Sequence, residues 1–301
     1  MVGWIDDWWL RLLGGLVGSG LIAFIAYRFR SLSLSGALSA MAMGTGFVTW
    51  GEPVWFACLI AFFVTSTLWS KWKKHSRAKA KAEAGYEKTG RRDAGQVWAN
   101  GGVGLLLCFG HALFPAAGDG WLLAYIGVMA AVNADTWATE IGALSKRAPR
   151  SVTSGKVVAP GTSGAVTRLG SLAALAGAAC IGVVAAVMLA WFHPDPASAA
   201  DLPAGHAGFA GGEFSLASAI ALIAAAAIAG FAGCFADSWL GATWQAMYRC
   251  TSCGSETERR THCGVQAERI RGFDFMNNDR VNMLSSVLAG VVGLALGLWW
   301  L

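Results

Sequence analysis

The sequence predicts an all-α fold, a polytopic membrane helix bundle of about eight transmembrane helices forming one transmembrane domain over residues 1–301. Three observations predict it. First, 55% of the 301 residues are hydrophobic and only 14% are charged, against roughly 25% charged in a soluble globular domain. Mean hydropathy is +0.50. Second, apolar runs of bilayer length recur at roughly 8–27, 33–50, 53–69, 97–117, 121–144, 169–192, 215–240 and 281–300. Third, every Lys and Arg except Arg11 falls in alternate loops, while the intervening loops hold Glu52, Asp119, Asp195, Asp201 and Glu213. These features exclude a disordered chain, a fibrous one and an ordinary soluble enzyme.

The first run follows an acidic start, with Asp6 and Asp7 where a cleavable leader would be basic, so it is expected to be retained. Gly14 and Gly18 within it, and Gly293 and Gly297 in the last run, have the small-xxx-small spacing that lets helices approach closely. The third run is the shortest. By the positive-inside rule the basic loops are cytoplasmic and both termini lie outside, in the inner (cytoplasmic) membrane. The main basic loops are 70–95, 145–168 and 248–280. Topology thus accounts for the net charge of +5, and no nucleic-acid partner is expected. The outside segment 193–214 reads as a connector, with His193 and His206 solvated.

Several membrane runs carry polar residues. In the fifth, Asn133, Asp135, Thr136, Thr139 and Glu140 fall within one arc of about 160° on a helical wheel. A carboxylate at membrane depth costs about 2.5–3.5 kcal/mol on insertion scales, so a functional role is the default reading. A hydrogen-bonded pair fixing helix register is the structural alternative. The seventh run ends with Asp237 and Ser238 on one face, and Ala134-Asp135-Thr136-Trp137 recurs as Ala236-Asp237-Ser238-Trp239, which suggests an internal repeat. Asn278, Asp279 and Asn282 bring a third polar face into the eighth run. A helix N-cap explains one of them and not the rest.

Two loops carry chemistry of their own. Loop 145–168 interleaves Gly, Ser and Thr with Lys and Arg, a composition suited to holding phosphate, but it lacks the spacing of a Walker A loop. Loop 248–280 contains Cys250-x2-Cys253 and then His262-Cys263, ligand types suited to a structural zinc ion; reduced, unliganded thiols are the alternative.

The set 133–142, Ser154-Gly155-Lys156, Pro160-Gly161-Thr162-Ser163-Gly164, Asp237–Ala242 and Asn278–Asn282 resembles the membrane family named domain of unknown function 92. That family includes animal transmembrane protein 19 and plant phytyl-phosphate kinase. The likeness covers most of the chain from about residue 30, and Ser163 and Ala165 stand where many members carry Asn and Gly. The resemblance implies a kinase that converts an isoprenyl (phytyl or polyprenyl) monophosphate to its diphosphate with a nucleoside triphosphate, CTP or ATP. The chemistry calls for Mg²⁺ between phosphates. Asp135, Asp237 and Asp279 are the expected Mg²⁺ ligands. Glu140 or Asp135 would orient the attacking phosphate. Lys156, Thr162 and Arg168 are expected phosphate contacts, with Asn133, Thr136, Gly161, Ser163, Gly164, Ser238, Asn278 and Asn282 completing the substrate and nucleotide site. The competing reading is a cation- or proton-coupled transporter using the intramembrane acids.

Overall fold

The computed structural model describes residues 7–88, 90–117, 119–192 and 214–300. The connector 193–213, with His193 and His206, and the first six residues lie outside the described residues.

Each of the eight apolar runs folds as a helix. They are α1 (Trp8–Arg28), α2 (Leu34–Trp50), α3 (Pro53–Lys71), α5 (Ala94–Leu113), α6 (Gly120–Gly142), α7 (Arg168–Trp191), α8 (Leu216–Thr243) and α9 (Asn278–Trp300). A further short helix, α4 (Arg77–Glu83), lies in the first large basic loop. The starts follow from capping chemistry. Asp7, Ser33, Ser76, Asp93, Thr167 and Ser215 each accept a backbone N–H with their side chains, Asp93 and Gln96 forming a reciprocal capping box. Pro53 opens α3, where its missing N–H costs nothing.

By length and apolarity, five of these helices can cross a membrane: α1, α3, α7, α8 and α9. The eight-span count is therefore not met on this measure. α2 has only 17 residues, and α5 and α6 carry polar side chains within their apolar stretch.

Helix α6 is the centre of the bundle and packs against α3, α5, α7, α8 and α9. Every residue from Leu122 to Ala134 is buried. Tyr125 stacks on Trp55 at 4.5 Å between ring centres and donates its hydroxyl to the Trp55 carbonyl. The small-residue expectation divides. Gly293 and Gly297 do sit against Leu123 and Gly127 of α6, so a Cβ on Gly297 would meet Leu123 at 2.5 Å. Gly14 and Gly18 instead face open space. Their neighbours Gly15 and Ser19 are buried, Gly15 against Thr45 and Val48 of α2.

The all-α expectation needs correction, because among the described residues six strands fold in the loops. β1 (Arg150–Ser151) pairs antiparallel with β2 (Ala165–Val166). β3 (Met247–Cys250), β4 (Glu256–Thr257), β5 (Thr261–His262) and β6 (Val265–Arg271) form a sheet in the order β4-β3-β6-β5. Strands of two to four residues are too short for apolar alternation to show in a sequence, and β6 exposes most of its residues. The suggested repeat is not carried through. A two-stranded ribbon follows α6, whereas a four-stranded sheet follows α8.

The three main basic loops and the connection between α1 and α2 meet at one end of the bundle. The Ser33 N–H donates to the Arg92 carbonyl (3.0 Å) and Lys71 Nζ to the Phe29 carbonyl (3.3 Å). Thr257 Oγ1 donates to the Gly85 carbonyl (3.0 Å), and Arg271 Nη2 to the Ser163 carbonyl (2.9 Å).

Candidate functional site

A cavity of about 820 Å³ opens where those loops meet, and α3 to α9 all contribute to its wall. Its floor is set by helix packing. Gly233 of α8 lies so close to Ala131 of α6 that a Cβ on it would come within 2.5 Å of the alanine methyl. Residues four further on stand on the same face one turn higher. Those residues are Asp135 and Asp237, and both line the cavity. Ser285 Oγ of α9 donates to Asp237 Oδ2 at 3.1 Å, while Asp135 accepts no hydrogen bond among the described residues.

The segment of the β1–β2 connection that leads into β2 forms another wall. Gly161, Thr162, Ser163 and Gly164 all line the cavity, as do Thr136, Ser238, Asn278 and Asn282. Gly164 has φ +78, and a Cβ there would meet Ala242 Cβ at 2.5 Å and the Ser238 carbonyl at 2.6 Å. Only glycine takes that backbone without strain and permits that approach. Ser163 Oγ donates to Gln245 Oε1 (2.7 Å), and Gln245 Nε2 donates to Glu258 Oε1 (2.9 Å). Among the described residues the N–H groups of Gly161, Ser163 and Gly164 have no acceptor. Asn282 Oδ1 is buried without a partner.

Other expected residues are placed differently. Asn133 is fully buried below the cavity, accepting from Thr65 Oγ1 (2.9 Å) and donating to the Gly177 carbonyl (2.7 Å), so it ties α6 to α3 and α7. Lys156 is exposed at the ribbon tip, and Arg168 is exposed on the first turn of α7; neither lines the cavity. Glu140 does line it but is engaged. Its Oε2 lies 2.6 Å from Lys79 Nζ, and its Oε1 accepts from Ser70 Oγ at 2.6 Å. Asp279 is likewise held by Lys88 Nζ at 2.5 Å, with Asp93 on the other side of that ammonium at 3.1 Å.

The cavity's cations therefore come chiefly from loop 70–95, whose charge had a sufficient topological explanation. Lys79, Lys88 and Arg92 all reach the site. The amphipathic cue was Lys79 with Ala82 three residues later, the two buried positions of α4. Glu258 was also unforeseen. Burial raises its carboxyl to about 7, against the pull of the hydrogen bonds from the Glu87 N–H (3.0 Å) and from Gln245.

Among the described residues, the one group of three or more metal-type side chains whose ligand atoms close on a point is Cys250, Cys253, His262 and Cys263, within 4.8 Å of one another. Asp135, Asp237 and Asp279 share a cavity but not such a point. The Lys88 ion pair holds Asp279 apart. Mg²⁺ keeps several waters and needs only one or two carboxylates besides substrate phosphates, so Asp135 and Asp237 alone fit it.

The helices and the cavity define an integral, multi-pass membrane protein whose polar groups gather at one end of the bundle. The chain belongs to the integral membrane protein family DUF92, whose model matches residues 17–290. It is 30% identical to Protein PGR of Arabidopsis thaliana over 294 residues, covering 92% of this chain and 93% of that protein. It is 26% identical to an uncharacterized membrane protein of Methanocaldococcus jannaschii over 286 residues, 95% of this chain and 94% of the relative. No solved structure matches the chain.

Proposed function

We propose that this chain is a membrane kinase that transfers a phosphoryl group from a nucleoside triphosphate, ATP or CTP, to an isoprenyl monophosphate, giving the diphosphate. The observation that carries the reading is a junction of two spaces. The polar cavity with Asp135 and Asp237 shares Arg92, Gln96 and Asn100 with a small apolar pocket of about 70 Å³, lined by residues such as Leu32, Met43, Phe56, Phe62 and Phe63. A phosphorylated head and an apolar tail call for adjoining spaces of these two kinds.

An oxygen of the acceptor monophosphate attacks the terminal phosphorus of the nucleotide. The bond from that phosphorus to its bridging oxygen breaks, and the electron pair leaves with the nucleoside diphosphate. The attacking phosphate is already ionised near neutral pH, so no general base is required. Asp135 and Asp237 would hold Mg²⁺, which would neutralise charge on the transferred phosphoryl group. The free N–H groups of Gly161, Ser163 and Gly164 would donate to phosphate oxygens, as backbone nests do. Lys88 and Arg92 also line the cavity and carry positive charge there.

A transporter needs polar access from both faces. Below Asp135 the α6 residues Leu122 to Val132 are buried and apolar but for the Tyr125 hydroxyl, which favours the enzyme reading. We further place the cavity on the cytoplasmic side, from the basic loops around it. The test is incubation of purified protein with labelled ATP or CTP and a panel of prenyl monophosphates. Diphosphate formation supports the assignment; its absence across the panel, with folded protein, refutes it.

A further inference from the structure

We propose that Cys250, Cys253, His262 and Cys263 bind one zinc ion that staples together the tips of the two β-hairpins in the loop after α8. Three independent features carry this.

The first is geometry. In a tetrahedral site with Zn–S near 2.3 Å and Zn–N near 2.0–2.1 Å, sulfur and nitrogen ligands sit about 3.6 Å apart. Cys253 Sγ and Cys263 Sγ lie 3.5 Å and 3.3 Å from His262 Nδ1. Cys250 Sγ completes the group, with all four ligand atoms within 4.8 Å of one another.

The second is backbone. His262 and Cys263 are neighbours, and consecutive residues on an extended strand point to opposite faces. Cys263 has φ +52, a left-handed conformation that non-glycine residues seldom adopt. That turn swings the Cys263 sulfur back beside the imidazole. Strain of this kind persists where a function holds it.

The third is how little apolar packing backs the hairpin tips. Cys250 ends β3 and Cys253 sits in the β3–β4 turn, whereas His262 ends β5 and Cys263 opens the β5–β6 turn. β4 and β5 are the two opposite edges of the sheet. Most of β6 is exposed, so the sheet has little apolar core at this end. Units this small ordinarily need a disulfide or a metal, and all three cysteines are free thiols.

The staple has a consequence for the cavity. The same sheet supplies Glu258 to the cavity wall, and Arg271 to the carbonyls of Ala242 and Ser163. An ion at the hairpin tips would hold that wall in register. The inference rests on the cluster alone and not on the kinase reading.

The experiment uses the full chain in detergent, purified without chelator from zinc-supplemented cells. Elemental analysis should find close to one zinc per chain. Cys253→Ser and His262→Ala should each lose most of it, while Cys180→Ser in α7 keeps it. Chelator-stripped wild type titrated with Co²⁺ should develop the charge-transfer and d–d bands of a tetrahedral thiolate site. Hydrogen exchange across residues 247–271 should quicken on stripping. Metal-free protein without cobalt bands, or zinc that survives both cluster substitutions, would overturn the proposal. A zinc-bound protein without prenyl-phosphate kinase activity would leave it standing and refute only the function proposed above.

Discussion

Lys79 Nζ lies 2.6 Å from Glu140 Oε2, with the lysine side chain only 1% exposed. The same ammonium donates to the Trp69 carbonyl at 2.6 Å. A residue of the basic loop is thus closed inside the protein and pins α4 to α6 beside the cavity. Removing one partner of such a pair strands a charge and typically costs about 3–5 kcal/mol, whereas replacing both by neutral groups can be nearly neutral. Lys79→Met should therefore lower thermal stability markedly. Lys79→Met with Glu140→Gln should recover most of the loss. Equal stability of the single and double variants in a melting assay would show that the pair is not energetically coupled.

Gly164 should resist substitution for reasons that Gly155 does not share. Both have positive φ, +78 and +66, but a Cβ at Gly155 meets nothing within 4 Å. Gly164→Ala combines a left-handed cost of about 1–3 kcal/mol with a clash on α8. It should lift the 161–164 loop away from Ser238 and raise the KM for nucleotide several-fold. Gly155→Ala should leave KM unchanged. Steady-state kinetics of the two variants side by side decide it, and matching KM values would contradict the role given to the loop.

Glu258 gives the stability a pH dependence. Burial raises its carboxyl from the ordinary 4.5 to about 7. The folded state therefore binds this proton more tightly than the unfolded chain does. The stability so gained is full below about 4.5 and is lost as pH rises through about 7. Wild type should lose melting temperature over that window, and Glu258→Gln should lose less. Superimposable pH profiles for the two proteins would remove Glu258 from the account.

The sidedness of the cavity is open to a direct labelling test. Ser154→Cys, at the ribbon, and Gly254→Cys, at a hairpin tip, lie in basic loops. With the native thiols replaced, both should react with an impermeant maleimide only from the cytoplasmic side. Labelling of either from the outside in sealed cells would reverse the proposed orientation.

Much of this arrangement was legible in the sequence, and the part that was not has a physical reason. Apolar length marked the helices. Helical periodicity put Asp135 with Thr136, and Asp237 with Ser238, on the faces that line the cavity. Periodicity says nothing about what a side chain meets across the bundle. Asn133 shares that wheel face yet is consumed by Thr65 and Gly177, and Glu140 is taken up by Lys79. Lys79 and Lys88 sat in a run of charge that topology alone explained. Lys156 and Arg168 lie near the glycine loop in sequence, but the ribbon and the start of α7 turn both outward. Glu258 follows directly on a two-residue strand, β4, that carries no readable period.

The most direct test of the central claim is the initial rate of prenyl-diphosphate formation, measured for wild type, Asp135→Asn and Asp237→Asn with melting curves on the same samples. Asn preserves size and removes the charge that would hold the metal. Loss of such electrostatic stabilisation costs on the order of 10²–10³ in rate. The account predicts that loss in both variants with melting temperature unchanged or raised, since neutralising an intramembrane acid lowers its insertion cost. Near-normal turnover in both variants, or activity falling only in step with stability, would contradict it.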